Sequence, residues 1–115
     1  YIYGNNMYKW SCLELKTGKL MWSTQGAKKA SVTYADGMLY LYGINKGHTV
    51  LLPASPKAVP PESADKKPTP LLNATGDFHV YDKKVDACRA NPVICDGRLY
   101  TRVDQQIYCF DIKAK

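Results

Sequence analysis

The sequence predicts an all-β fold of antiparallel four-stranded units, and three observations predict it. Short apolar strands flank Asp-Gly turns, the same strand-turn-strand segment occurs more than once, and helical periodicity is nowhere convincing. Tyrosines outnumber phenylalanines nine to two, which suits strands, where aromatic rings pack on a pleated surface. The 115 residues are enough for one domain with a modest core.

Along the chain, Ile2-Tyr3 is half of a hairpin, and the polar turn at Asn5-Asn6 leads to a strand around Cys12-Leu13. Lys16-Thr17-Gly18-Lys19 forms the next turn, before a strand at Leu20-Met21-Trp22. Strands are expected over 30–35 and 38–44, hinged on Asp36-Gly37, because glycine supplies a positive φ without steric cost. A strand over 48–52 follows the turn at Asn45-Lys46-Gly47. Pro53 to Pro70 holds every proline except Pro92 and reads as a surface loop or disordered insertion, with 55–70 free of regular structure. A strand within 77–82 closes that unit. Strands over 90–95 and 98–103 then surround Asp96-Gly97, and one over 107–112 follows Asp104-Gln105-Gln106.

Repetition organises these elements. Ala30 to Tyr40 recurs as Ala90 to Tyr100, and Ile2-Tyr3 matches Leu39-Tyr40 and Leu99-Tyr100. A count of nine residues (3 to 12, 100 to 109) leads from Tyr3 to Cys12-Leu13-Glu14 and from Tyr100 to Cys109-Phe110-Asp111. From Tyr40 the same count reaches Thr49-Val50-Leu51-Leu52, which lacks the acid. Four-stranded units in series are the mark of a β-propeller. The expected organisation is a partial ring: 1–29 the end of one blade, 30–86 a full blade with the Pro-rich insertion 53–70, and 87–115 a partial last blade. That makes about two and a half blades, where a closed ring takes about four to eight. The abrupt, strand-like opening and the ending Tyr108 to Lys115 suggest the C-terminal section or a fragment of something longer.

Glu14-Leu15-Lys16-Thr17-Gly18-Lys19-Leu20-Met21-Trp22 resembles the repeat of pyrroloquinoline-quinone-type (PQQ-like) β-propellers, with an acid before Thr-Gly-Lys and a closing Trp. The Asp-Gly-x-Leu-Tyr hairpins at Asp36 and Asp96 are similar to its inner strands, and Asn91-Pro92-Val93 resembles the opening of the innermost one. The resemblance covers nearly all of the chain outside the insertion. It implies that Trp22 packs against an adjacent blade, with an indole N–H in need of an acceptor. Quinoprotein dehydrogenases of this type carry adjacent cysteines, an acidic calcium site and a catalytic aspartate. Here no two cysteines are adjacent and no acidic cluster has calcium spacing.

No catalytic, cofactor-binding or metal-ligating residue is therefore assigned, and no cofactor is expected. Asp36 and Asp96 read as turn residues, while Glu14 and Asp111 repeat at matching strand positions, which argues for structure. His48 and His79 read as packing or surface residues. Cys12 and Cys109, at equivalent positions, read as small apolar fillers. Cys88 and Cys95 pair only if the chain doubles back, and Asn73-Ala74-Thr75 fits a glycosylation acceptor. The net charge of +6 comes from thirteen lysines and three arginines, spread without a long run, so nucleic-acid binding rests on charge alone. No apolar run can span a membrane.

The expected function is a non-catalytic binding or scaffold propeller of a bacterial envelope protein, periplasmic or extracellular. Its partner is a protein or the remaining blades of the same propeller. The alternative is a fragment of a PQQ-like envelope oxidoreductase whose active site lies in other blades, and of the two the non-enzyme reading is preferred.

Overall fold

The computed structural model describes residues 1–59, 75–83 and 88–113. Among them there are ten strands and no helix, arranged as three antiparallel sheets in chain order. The N-terminal sheet contains β1 (Ile2–Asn5), β2 (Trp10–Leu13) and β3 (Leu20–Thr24). The middle sheet contains β4 (Ala30–Ala35), β5 (Met38–Gly43), β6 (His48–Pro53) and β7 (Gly76–His79). The C-terminal sheet contains β8 (Val93–Cys95), β9 (Arg98–Val103) and β10 (Gln106–Asp111). Each is a meander in which sequential strands are neighbours.

Turn chemistry sets the registers. Asp36 and Gly37 have φ of 47° and 75°, Asp96 and Gly97 have 49° and 71°, and each pair links directly opposed strand residues. Positive φ at both central residues is the type I′ geometry, whose twist suits a two-residue hairpin. The Thr-Gly turn is equally local. Gly18, at φ 70°, donates its N–H to the Glu14 carbonyl at 2.8 Å, and the Thr17 hydroxyl donates to the Glu14 carboxylate. Both turn aspartates and Thr17 are thus accounted for by backbone geometry.

The middle hairpin departs from the nine-residue count. Tyr3 pairs with Cys12 and Tyr100 with Cys109, whereas Tyr40 pairs with Leu51. The turn between β5 and β6 is therefore longer than the turn between β9 and β10, and Pro53 occupies the position of Glu14 and Asp111. Lys46 and Gly47, both at positive φ, carry the chain around it.

The insertion also differs from its expected character as a surface loop. Ala58 and Val59 are buried in the main core, and the Ser55 carbonyl accepts the Trp22 indole N–H at 2.8 Å. Residues 55–59 carry no strand or helix, yet Ala58 and Val59 join the cluster that holds Trp22 and the middle-sheet leucines, while Lys57 stays exposed. Residues 60–70 of the insertion and Asn73 lie outside the described residues.

Two cores lie between three sheets. Trp10, Cys12 and Trp22 meet Leu39, Leu41, Val50 and Leu52 between the N-terminal and middle sheets. Tyr42, Cys88 and Val103 form a smaller cluster between the middle and C-terminal sheets. The strand period of two explains how one sheet serves both. Leu39 and Leu41 of β5 point one way while Tyr40 and Tyr42 point the other, and all four are buried.

Candidate interaction surface

Strand pairing makes the three sheets comparable residue by residue. Call the face that a sheet turns to its successor its forward face and the opposite one its backward face. The forward face of the N-terminal sheet carries Tyr3 and Asn5 with their partners Cys12 and Trp10. Asn5 donates its side-chain N–H to the Ala30 carbonyl at 2.6 Å, and the Trp10 indole donates to the Ala27 carbonyl at 2.9 Å. Burial raises the Tyr3 phenol from its ordinary 10.0 to about 12, with Cys12 adding to the shift, and burial also pushes the Cys12 thiol up.

The forward face of the middle sheet is tied to the C-terminal sheet by hydrogen bonds and aromatic contact. Tyr42 donates its hydroxyl to the Arg102 carbonyl at 2.9 Å, and Thr33 donates to the Pro92 carbonyl at 2.7 Å. Phe78 meets Phe110 edge-on at 5.7 Å. Burial, reinforced by Cys88, pushes the Tyr42 phenol well above its ordinary range.

At the two ends of the stack the equivalent positions stand open. Trp10, Thr49 and Ile107 occupy the same forward position, opposite Asn5, Tyr42 and Arg102. Their exposures are 2%, 1% and 74%. Cys12 is buried, while its equivalent Cys109 is exposed. Cys109 is thus not the interior filler expected from the repeat, because no sheet among the described residues covers its face. On the backward side Ile2, Leu39 and Leu99 are equivalent, and their exposures are 46%, 2% and 1%. A shallow hollow of about 190 Å³ lies on this open N-terminal face, lined by Ile2, Gly4, Asn5, Asn6, Ser11 and Leu13. Val32 and Tyr34 of β4 are also exposed. They share the backward side of the middle sheet with Leu39 and Leu41, but the N-terminal sheet has no strand corresponding to β4 to cover them. The C-terminal sheet likewise has no counterpart of β7 among the described residues.

Other groups with chemistry are fewer. His48 and His79 are register partners with rings stacked at 4.5 Å, and His48 Nε2 lies 2.6 Å from Asp77 Oδ1. This is an exposed His–Asp pair on a sheet, and among the described residues no hydrogen bond links it to a serine or cysteine that it could activate. Among the described residues no three His, Cys, Asp or Glu side chains are placed to hold a metal ion, and all four cysteines are free. Asp96 meets Lys113 at 3.7 Å in an exposed pair, and Asp111 accepts the Lys113 backbone N–H. Among the described residues no helix is long and apolar enough to cross a membrane.

No family model, curated protein or solved structure matches the chain.

Proposed function

We propose that the chain is a non-catalytic binding and scaffold segment built on the PQQ-like β-propeller plan, working in the bacterial envelope by packing its sheet faces against protein. The observation that supports this most is the uniform direction of stacking. The middle sheet places Leu39 and Leu41 against the N-terminal sheet, and the C-terminal sheet places Val103 against Tyr42 of the middle one. Units that stack with a constant sense form rings or open arrays with free ends. Each end of the stack presents an uncovered sheet face, the surface through which a protein or the remaining blades of the same propeller would pack. The groups that carry chemistry are taken up structurally: Asp36 and Asp96 in turns, Glu14 by the Thr17 hydroxyl, Asp111 by the Lys113 backbone N–H, and His48 by Asp77.

Titration calorimetry with pyrroloquinoline quinone and calcium together tests the non-catalytic reading. Calcium needs six to eight oxygen ligands, and a quinone needs convergent polar groups in a pocket. No heat of binding is expected. Saturable one-to-one binding at low micromolar concentration overturns the reading and puts the oxidoreductase alternative in its place.

A further inference from the structure

We infer that the chain carries a docking surface for anionic membranes at one end of its strands, where loops distant in sequence gather positive charge around a protruding Met7-Tyr8 tip. This surface runs along strand ends, across the stack, and not over its first or last sheet face. The inference therefore goes beyond the scaffold reading and does not depend on how the stack is completed.

In an antiparallel meander, successive connections alternate between the two ends of the strands. The connections at 6–9, 25–29, 44–47, 80–83 with 88–92, and 104–105 therefore lie at one end. Contacts between sheets bring these connections together. Asn5 reaches the Ala30 carbonyl, Trp10 the Ala27 carbonyl and Tyr42 the Arg102 carbonyl, while the Cys88 N–H donates to the Ile44 carbonyl at 3.1 Å. Charge is divided unevenly between the two ends. Here Lys28 and Lys29 in one link, Lys46 in the next turn, and Lys83 and Arg89 after β7 are joined by Lys9 and Arg102. Only Asp82 and Asp104 oppose them among the described residues. In sequence, 84–87 add Lys84 and Asp86, which cancel. At the opposite end Lys16, Lys19, Lys57, Arg98 and Lys113 stand against four carboxylates, and Lys113 meets Asp96 at 3.7 Å. A six-residue strand spans about 20 Å, more than two Debye lengths at physiological salt, so the two ends act as separate electrostatic surfaces.

The turn at 6–9 adds an apolar element to the basic end. Met7 is 49% exposed and Tyr8 72%, and Met7 stands at a φ of 79°. Side-chain oxygens of Asn5 and Asn6 accept the N–H groups of Met7, Tyr8 and Lys9 at 3.2, 3.3 and 3.0 Å, so the tip is held outward by a hydrogen-bonded turn. A tyrosine ring with an apolar body and a polar end suits the headgroup level of a bilayer. Most of the cations are lysines, compact point charges that suit the diffuse field of a lipid surface better than bidentate phosphate contacts. Each basic residue close to an anionic leaflet strengthens binding by about fivefold. Nucleic acid answers the charge but gives Met7 no apolar medium to enter.

Co-sedimentation with vesicles of phosphatidylcholine containing about 30% phosphatidylglycerol tests this, with pure phosphatidylcholine as the reference. The chain is expected to bind the anionic vesicles alone, and to lose at least about tenfold in partitioning as salt rises from about 0.1 M to about 0.5 M. Lys28→Glu combined with Lys29→Glu should weaken binding by at least about tenfold, and Tyr8→Ser by about threefold. Lys16→Glu combined with Lys19→Glu, at the opposite end, should stay within about twofold. All five side chains are exposed, so the variants should keep the parent's circular dichroism and melting temperature. A chain that ignores anionic vesicles overturns the inference. Equal losses from the two lysine pairs mean attraction by net charge without a dedicated surface, which overturns it too. If Tyr8→Ser leaves vesicle binding unchanged, the end is a general polyanion surface of the kind nucleic acid would use, and the membrane assignment is overturned.

Discussion

The middle and C-terminal sheets share a strand-turn-strand repeat, yet among the described residues the middle sheet packs on both faces and the C-terminal sheet on only one. Their hairpins have the same Asp-Gly geometry, and Tyr40 and Tyr100 are equivalent. The difference lies in what stands next to them. Thr49 is sealed by the C-terminal sheet, while Ile107, the more apolar residue at the same position, faces solvent. Side-chain type alone therefore does not decide burial here. A strand inherits its environment from the neighbouring sheet, and an isoleucine in an open position marks a surface suited to being covered.

The largest test of that comparison replaces equivalent residues in closed and open positions. Trp10→Ala removes a fully packed ring and its hydrogen bond to Ala27, and should cost about 3–5 kcal/mol. Ile107→Ala, which truncates an exposed side chain, should stay within about 0.5 kcal/mol. Urea denaturation of both variants measures the contrast. Equal losses would mean that the C-terminal face is covered within the single chain.

A second contrast compares glycines in two turns of the middle sheet. Gly47 has φ 61°, and a Cβ there would sit 3.0 Å from the Tyr42 hydroxyl oxygen and from Val80. Gly37 has φ 75° but faces open space. Gly37→Ala should cost about 1 kcal/mol of backbone strain, and Gly47→Ala about 2 kcal/mol, because steric crowding adds to the strain. Thermal melts rank the two. The reverse order would show that the turn at 45–47 yields more readily than its contacts suggest.

The insertion provides the next test. Val59 is buried beside Trp22 although it lies among the prolines, so Val59→Ala should cost about 1.5 kcal/mol, at about 0.8 kcal/mol for each buried carbon removed. An unchanged melting temperature would return 55–59 to the status of a surface loop.

The sequence made the strands and turns legible because their signals are local. Asp-Gly fixes a two-residue hairpin, alternation fixes the faces, and a tryptophan that closes a strand needs both a packing surface and an acceptor, which Trp22 finds. Other features depend on long-range register and were not legible. The extra residues in the β5–β6 turn escape a count anchored on the other hairpins. The burial of Ala58 and Val59 has no periodic signature, since two small apolar residues among prolines look like a loop. His48 meets Asp77 through the β6–β7 pairing alone. The exposure of Cys109 follows from a neighbour its own segment cannot encode.

A last contrast concerns alkaline pH and distinguishes the two interfaces. The Tyr3 phenol lies in the N-terminal core and titrates near 12 in the folded chain, against an ordinary 10.0. Tyr42, in the C-terminal core, is shifted in the same direction. A phenol that keeps its proton longer when folded contributes full stability below pH 10. Above that, the unfolded chain releases the proton first, so stability falls as pH rises from 10 towards 12. Melting temperature should accordingly decline over that window. Tyr3→Phe should flatten part of the decline and Tyr42→Phe another part, since phenylalanine has no proton to lose. Tyr42→Phe should also lower stability near neutral pH by about 1 kcal/mol, because the Arg102 carbonyl loses its donor. Melting curves for both variants from pH 8 to pH 12 would separate the effects. If Tyr3→Phe leaves the alkaline slope unchanged, the N-terminal interface opens before its phenol titrates, and the first core is the looser of the two.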